Sequence, residues 1–239
     1  MKSKNFTKGI VDGFPICVGY FSVAFAFGIF AVSNGLTSIQ ALLISMTNVT
    51  SAGQLAAIPI ITGGGTLLEL AATQFIINLR YALMSISLSQ KFDYSITLKH
   101  RLLIAFVNTD EVFAVATSKR GQVNKFYMYG LIFTPFLGWS SGTIIGAIAG
   151  DILPAIITNA LNLAIYGMFI AIIIPEVKIN VATFKCVIIA IILSCAFYFI
   201  PLFSSVPSGF AIIICSLVSA TIMAIVSPIK LEEDGNELS

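Results

Sequence analysis

The sequence predicts an all-α protein, a polytopic bundle of transmembrane helices. Hydrophobic residues make up 57% of the 239-residue chain and charged residues only 10%, whereas soluble globular domains carry about 25% charged residues. Apolar windows recur along the chain at about twenty residues each, the length that crosses a bilayer as a helix. Two of these windows carry polar residues at their centres, which is typical of broken or re-entrant helices. We therefore expect about six to eight membrane segments, with these two windows as the candidates for broken or re-entrant helices.

Charge, cysteine and histidine content exclude several other classes of protein. The formal net charge of +2 is too small to indicate a nucleic-acid partner. The four cysteines lie in apolar runs without the spacing of metal ligands, and the chain has one histidine. It also lacks a Walker A motif and a dinucleotide-binding fingerprint. We expect no enzymatic activity, no bound metal and no cofactor.

Apolar runs separated by turn sequences define the candidate membrane segments. The first run follows a basic N-terminus, but it is long and lacks an obvious cleavage site, so a retained helix is the better interpretation than a signal peptide. The segments are residues 12–33, 38–61, 66–89, 102–118, 126–149, 155–175, 181–201 and 209–227. We expect residues 1–230 to form a single membrane domain and residues 231–239 a polar tail.

Basic residues in short loops predict the orientation, because lysine and arginine there favour the cytoplasm. These residues are Lys2, Lys4, Lys8, Lys91, Lys99, Arg101, Lys119, Arg120, Lys125, Lys178 and Lys230. Eight simple crossings place all of them inside except those of the 91–101 loop. If 38–61 dips in and returns outward, and 102–118 dips in and returns inward, every basic loop is cytoplasmic. The sequence leaves both arrangements open, and both put the two termini in the cytoplasm.

Polar residues in the second segment indicate a face that lines a substrate path. Thr47, Thr50, Ser51 and Gln54 follow the spacing i, i+3, i+4 and i+7, which places them on one helical face. Four polar residues exceed what hydrogen bonding between helices needs, although such bonding is the alternative interpretation.

The third segment carries an arginine and two polar stripes. The first stripe contains Glu69, Thr73 and Arg80, and the second contains Gln74, Asn78, Tyr81 and Ser85. A buried arginine costs several kcal/mol unless it is paired or hydrated, and its planar fork suits a carboxylate. Arg80 is therefore predicted to bind a carboxylate. The alternative is that its side chain extends to the cytoplasmic headgroups.

The fourth segment supplies candidate partners for Arg80. Asp110 and Glu111 are consecutive, so they project about 100° apart on a helix and cannot face one partner equally. One acid can pair with Arg80 while the other faces a cavity or titrates. A poorly hydrated carboxyl group binds a proton readily, which suits proton coupling, and Glu69 is a further candidate for that role. The alternative is that the acids are hydrated at the cytoplasmic interface.

Later segments show a packing face, a small polar stripe and a weak repeat. Gly138, Gly142, Gly146 and Gly150 recur every four residues, which lets another helix approach closely. Asn159, Asn162 and Tyr166 form the stripe of the sixth segment. "ALLISMTNVTSAGQLAAIP" from Ala41 and "ALNLAIYGMFIAIIIP" from Ala160 are weakly similar, and transporters are often built from repeats with the site at their interface.

Three strings of the sequence together resemble the AzlC family, the large subunits of bacterial branched-chain amino acid exporters. They are "TSAGQLAA" at 50–57, "NLRYALMS" at 78–85 and "NTDEVFAVA" at 108–116. The family usually has Gly-Ser-Ala-Gln at positions 51–54 and histidine at the position of Tyr81, so the chain departs from it there. The resemblance implies an amino acid exporter that works with a small AzlD-like membrane partner, and such a partner would meet the Gly138–Gly150 face.

The polar residues by themselves indicate a secondary transporter for a small charged or zwitterionic solute. With the resemblance, we expect an inner-membrane permease that exports branched-chain or similar hydrophobic amino acids, coupled to the proton gradient. Arg80 would bind the substrate carboxylate, while Asp110 or Glu111 would bind the ammonium group or carry the proton. Neutral hydrogen bonds would come from Gln54, Ser51 and Asn78. The alternatives are a channel or exporter for another small solute and a non-transporting membrane scaffold.

Overall fold

The computed structural model describes residues 2–154, 177–203 and 205–227, together with positions 156, 160, 167, 170 and 173–175. Most of the sixth predicted segment, with its stripe of Asn159, Asn162 and Tyr166, lies outside the described residues. Most of the second copy of the weak repeat and all of the tail at 231–239 lie outside them as well.

The described residues form two compact units of α-helices, Met1–Met168 and Phe169–Ser239. In the first unit the helices are α1 (Lys2–Ser33), α2 (Ser38–Thr47), α3 (Ser51–Thr62), α4 (Leu67–Ser89), α5 (Leu98–Phe106), α6 (Asp110–Ser118) and α7 (Lys125–Ile152). The second unit contains α8 (Val181–Phe199), a short 3-10 helix (Pro201–Phe203) and α9 (Ser208–Val226). Of these, α1, α7, α8 and α9 are long and apolar enough to cross a membrane. The predicted all-α membrane fold is confirmed, and the single domain stays a prediction.

The first unit is built around a close parallel pair of helices, α1 and α7. The backbones of Gly138, Gly142 and Gly146 contact α1 in turn at Cys17, Phe21 and Phe25. Both series ascend together, so the two helices run in the same direction. The glycine face is therefore filled from within the chain, and the expectation that it receives a partner helix is wrong. Small residues show that something packs closely there, but not which helix does so.

The second predicted segment is a hairpin of two short helices, because its helix breaks at residues 48–50. Thr37 begins α2 with a capping box in which Gln40 takes part. In the second helix, Ile58 packs in one cluster with Leu36 and Ala41, so α3 returns to the end from which α2 started. The four polar residues of this segment consequently do not share the face of one continuous helix.

The fourth predicted segment is also a hairpin, broken at residues 107–109 between α5 and α6. The chain just before α5 and the chain just after α6 are bonded to each other. Lys91 Nζ donates to the Lys119 carbonyl oxygen at 2.9 Å, and the Lys91 carbonyl oxygen accepts from Val123 N at 2.8 Å. The hairpin therefore enters and leaves at the same end of the unit. That end, formed by residues 90–97 and 119–124, is called the basic end below.

The start of α1 also lies at the basic end. Asp12 forms an ion pair with Lys119, with Oδ2 and Nζ 2.6 Å apart, and accepts a hydrogen bond from the Tyr127 hydroxyl at 2.9 Å. At the end of α4, Leu88 packs in the cluster that contains Tyr127 at the start of α7. Because α4 ends where α1 and α7 begin, it runs antiparallel to both. Eight simple crossings would place the 91–101 loop opposite 119–125, so the structure agrees with the re-entrant arrangement.

This arrangement predicts the result of cysteine labelling in a background without the four native cysteines. Tyr94→Cys and Arg120→Cys, both at exposed positions of the basic end, should react with an impermeant maleimide only after cells are opened. Asn34→Cys, exposed just after α1, serves as the opposite-side control and should react in intact cells. If the Tyr94→Cys variant reacted in intact cells and the Arg120→Cys variant did not, the eight-crossing arrangement would be restored.

In the second unit, α8 and α9 pack against each other around a cavity of about 490 Å³. Small and polar side chains, among them Ser194, Ser208 and Cys215, line part of it. None of the predicted site residues lies in this unit.

Candidate functional site

The second polar stripe of α4 faces the two helix breaks. Near its start, Gln74 Oε1 accepts a hydrogen bond from Asn48 Nδ2 at 2.8 Å. Three turns further on, Ser85 Oγ accepts one from Asn108 Nδ2 at 3.1 Å. Between them, the Tyr81 hydroxyl donates to Thr50 Oγ1 at 3.3 Å. The helical spacing read from the sequence thus identified the face of α4 that holds both hairpins.

A cavity of about 190 Å³ lies between the two breaks and this face of α4. Its lining residues are Thr47, Asn48, Val49, Thr50, Asn78, Tyr81, Ala105, Phe106, Asn108 and Thr109. None of these described lining residues is charged. Hydroxyl and amide side chains of Thr47, Asn48, Asn78 and Tyr81 supply polar groups to this wall. The cavity therefore offers uncharged donors and acceptors to a small solute, beside an apolar patch from Val49, Ala105 and Phe106.

An ion pair between Arg80 and Asp110 lies next to this cavity. Arg80 Nη1 is 2.7 Å from Asp110 Oδ2, and the two side chains are 54% and 47% exposed. Arg80 Nη2 also donates to the Tyr81 hydroxyl at 3.0 Å, which connects the guanidinium to the cavity wall. Asp110 is the first residue of α6, where the partial positive charge of a helix N-terminus favours a carboxylate. Of the two candidate acids, Asp110 is the one that pairs with Arg80.

Glu111 has a different partner, as its direction on the helix requires. Its carboxylate accepts a hydrogen bond from the hydroxyl of Tyr20 on α1. The Tyr20 ring packs edge-on against Trp139, with centroids 5.1 Å apart at 63°. The start of α6 is thus bonded to α4 through Asp110 and to the α1–α7 pair through Glu111.

The predicted substrate ligand Gln54 lies in a separate buried network. It is fully buried, and its Oε1 accepts from Ser45 Oγ at 2.9 Å. Ser45 Oγ is also 2.6 Å from Thr143 Oγ1, so the network joins α3, α2 and α7. This geometry matches the alternative interpretation, hydrogen bonding between helices. Ser51, at the first position of α3, is half-buried beside the break.

Glu69 is buried in the first turn of α4, away from the ion pair near the middle of that helix. It is 3% exposed, and its backbone N donates to Thr66 Oγ1 at 3.1 Å as part of the helix cap. It precedes Arg80 by eleven residues, about 16 Å along the helix axis. Thr73, from the same predicted stripe, is fully buried. Glu69 and the Arg80–Asp110 pair are therefore separate sites.

Sequence reasoning missed three residues of this region: Tyr20, Asn48 and Asn108. The asparagines precede the caps of α3 and α6, in "NVTS" and "NTDE". Clusters of asparagine, threonine, serine and aspartate favour local side-chain bonds over a continuous helix, so each string could have located a break. Tyr20 carries no local signal, because its partner is distant in sequence.

Comparison with known proteins places the region in a family. The model of the AzlC protein family matches residues 15–153, which contain both hairpins and the ion pair. An uncharacterized membrane protein of Archaeoglobus fulgidus is 33% identical over 179 residues, 74% of this chain and 78% of the relative. Inner membrane protein YgaZ of Escherichia coli is 32% identical over 153 residues, 62% of each chain. An uncharacterized membrane protein of Helicobacter pylori is 26% identical over 155 residues, 62% of this chain and 67% of the relative. No solved structure matches the chain.

Proposed function

The chain belongs to the AzlC family of membrane proteins, and from this premise we propose that it is a secondary transporter for amino acids. Its substrates are branched-chain or similar hydrophobic amino acids, which it exports across the inner membrane with coupling to the proton gradient. The observation that carries this proposal is the Arg80–Asp110 pair, placed where two broken helices meet beside a polar cavity. Discontinuous helices with their ends at a central site are a recurring design of secondary transporters.

The proposed mechanism is an exchange of partners at Arg80. The substrate carboxylate takes the bidentate position on the guanidinium, which suits its planar fork, and Asp110 is released. The released carboxylate then binds either the ammonium group of the substrate or a proton. Asp110 and Glu111 thereby link substrate binding to protonation, with Glu69 as a more distant proton carrier.

Neutral and apolar groups complete the proposed substrate site. Asn78 lines the cavity and Ser51 lies at the start of α3, and both can supply neutral hydrogen bonds. Gln54 does not contact the substrate in this proposal. It holds α3 against α2 and α7 through Ser45 and Thr143. An aliphatic side chain fits the patch of Val49, Ala105 and Phe106. We also propose a small AzlD-like membrane partner, which must bind elsewhere than the glycine face because α1 occupies that face.

Efflux from loaded cells tests the function. Cells expressing the chain with the partner should lose labelled leucine, isoleucine and valine faster than cells with an empty vector, and a protonophore should remove the difference. The chain without the partner should export less. Equal efflux with and without the chain would contradict amino acid export. Efflux that is accelerated but insensitive to the protonophore would favour the alternative, a channel for small solutes.

A further inference from the structure

Two amide oxygens beside the cavity between the helix breaks have no hydrogen-bond partner. They are Oδ1 of Asn78 and Oδ1 of Asn108, and both are shielded from bulk water among the described residues. Asn108 is 3% exposed, and both residues line the cavity. Buried polar atoms without a partner are rare in native proteins because their desolvation is not compensated. The described residues contain six such atoms, and these two belong to residues that line the same cavity. Their meeting at one cavity points to a ligand that supplies hydrogen-bond donors.

The hydrogen-bond network determines which atom of Asn78 is left open. The Gly53 carbonyl oxygen can only accept, so Gln74 must direct its Nε2 toward it, at 2.8 Å. Gln74 Oε1 is then an acceptor, and it receives Asn48 Nδ2 at 2.8 Å and Asn78 Nδ2 at 3.3 Å. The remaining atom of Asn78 is therefore an acceptor oxygen. On the other hairpin, Asn108 Nδ2 donates to Ser85 Oγ at 3.1 Å and the Asn108 oxygen has no partner. The Ser85 hydroxyl can donate as well as accept, so this orientation comes from the structure and is not dictated by the partner.

From these observations we infer that the cavity binds the α-ammonium group of the substrate on the amide oxygens of Asn78 and Asn108. A primary ammonium has three N–H donors and carries a positive charge, so it satisfies both oxygens with charge-assisted hydrogen bonds. The inference rests on the proposed amino acid transport and specifies how the substrate is oriented. Asp110 and Glu111 are then not needed for the ammonium group and remain for the proton.

The position of Arg80 completes the orientation. Its guanidinium donates to the Tyr81 hydroxyl, and Tyr81 lines the cavity. A solute with its ammonium group at the asparagines can therefore present its carboxylate to Arg80 across Tyr81. Phe106, the last residue of α5, forms an apolar side of the same cavity and receives the aliphatic chain. The two amide oxygens come from α4 and from the α5–α6 break, so movement of that hairpin would assemble or separate the subsite.

The test compares ligands that differ only in the amino group, on the purified full-length chain with its partner. Binding of leucine and of its 2-hydroxy acid analogue is measured by calorimetry for wild type, Asn78→Leu and Asn108→Leu. Wild type should bind leucine at least about tenfold more tightly than the analogue, as expected for hydrogen bonds to a charged group. Each variant should lose most of this preference while binding the analogue as wild type does. Asn34→Leu, in an exposed turn, is the control and should keep the full preference.

Other outcomes would overturn the inference in distinguishable ways. Equal losses for leucine and the analogue in both variants would make the asparagines structural. Leucine binding that needs sodium, with the need lost in the variants, would assign the oxygens to a sodium ion. Wild type that binds neither ligand would overturn the proposed function together with this inference, whereas equal tight binding of both ligands would overturn the ammonium site alone.

Discussion

Replacing Arg80 with glutamine is expected to reduce amino acid export to the level of cells that lack the protein. The change removes the proposed ligand of the substrate carboxylate and leaves Asp110, 2.7 Å away in the native pair, without its counter-charge. The expectation of a buried pair is not met, since the two side chains are 54% and 47% exposed, so the defect comes mainly from the lost substrate ligand and less from an unpaired charge. Arg80→Lys should also fail largely, because a compact ammonium cannot reproduce the bidentate fork. Efflux of labelled leucine measures both variants.

Substitutions of the two neighbouring acids should have different effects on export in the same assay. Asp110→Asn should abolish export, because Asp110 is the partner of Arg80. Glu111→Gln, whose partner is Tyr20, should keep export and lose mainly its dependence on pH. The double variant Arg80→Gln with Asp110→Asn should recover membrane yield but not export. The effects of substitutions at two residues in contact are not additive.

Arg120→Gln is the matched control, since Arg120 is exposed at the basic end. It should export normally. If Arg80→Gln also exported normally, Arg80 would be an interfacial anchor and the proposed site would be wrong.

Replacing Gly146 with leucine should prevent the chain from folding, with or without a partner. Even a Cβ at this position would overlap the carbonyl oxygen of Phe25 on α1, and backbone cannot move aside as a flexible side chain can. Overpacking of a tight interface typically costs about 1–3 kcal/mol, and more where helices must separate. The expected result is loss of monodisperse protein in detergent when the chain is expressed alone.

Gly19→Leu, on α1, is the control for this change. A Cβ at Gly19 meets nothing within 4 Å, so this variant should give native yield and melting temperature. If the Gly146 variant folded as well as the Gly19 variant and lost only co-purification with the partner, the glycine face would be an intermolecular surface after all.

The sequence by itself determined the all-α membrane fold and the polar face of α4, and it located the two segments that break while leaving both of their arrangements open. These features are local: hydropathy, periodicity and capping chemistry act over a few turns of helix. The 3.6-residue helical period was enough to predict that Gln74, Asn78, Tyr81 and Ser85 share one face of α4. It was misleading at residues 47–54, where a helical repeat was read across a break.

Only the tertiary structure decided which groups meet across the bundle. Asp110 rather than Glu111 pairs with Arg80, Tyr20 bonds to Glu111, and α1 fills the glycine face of α7. The 91–101 loop joins the basic end through Lys91 and Val123. These contacts join residues about 30 to 120 positions apart. Their choice depends on how whole helices pack and on which buried polar groups must be satisfied together, and no local pattern encodes that.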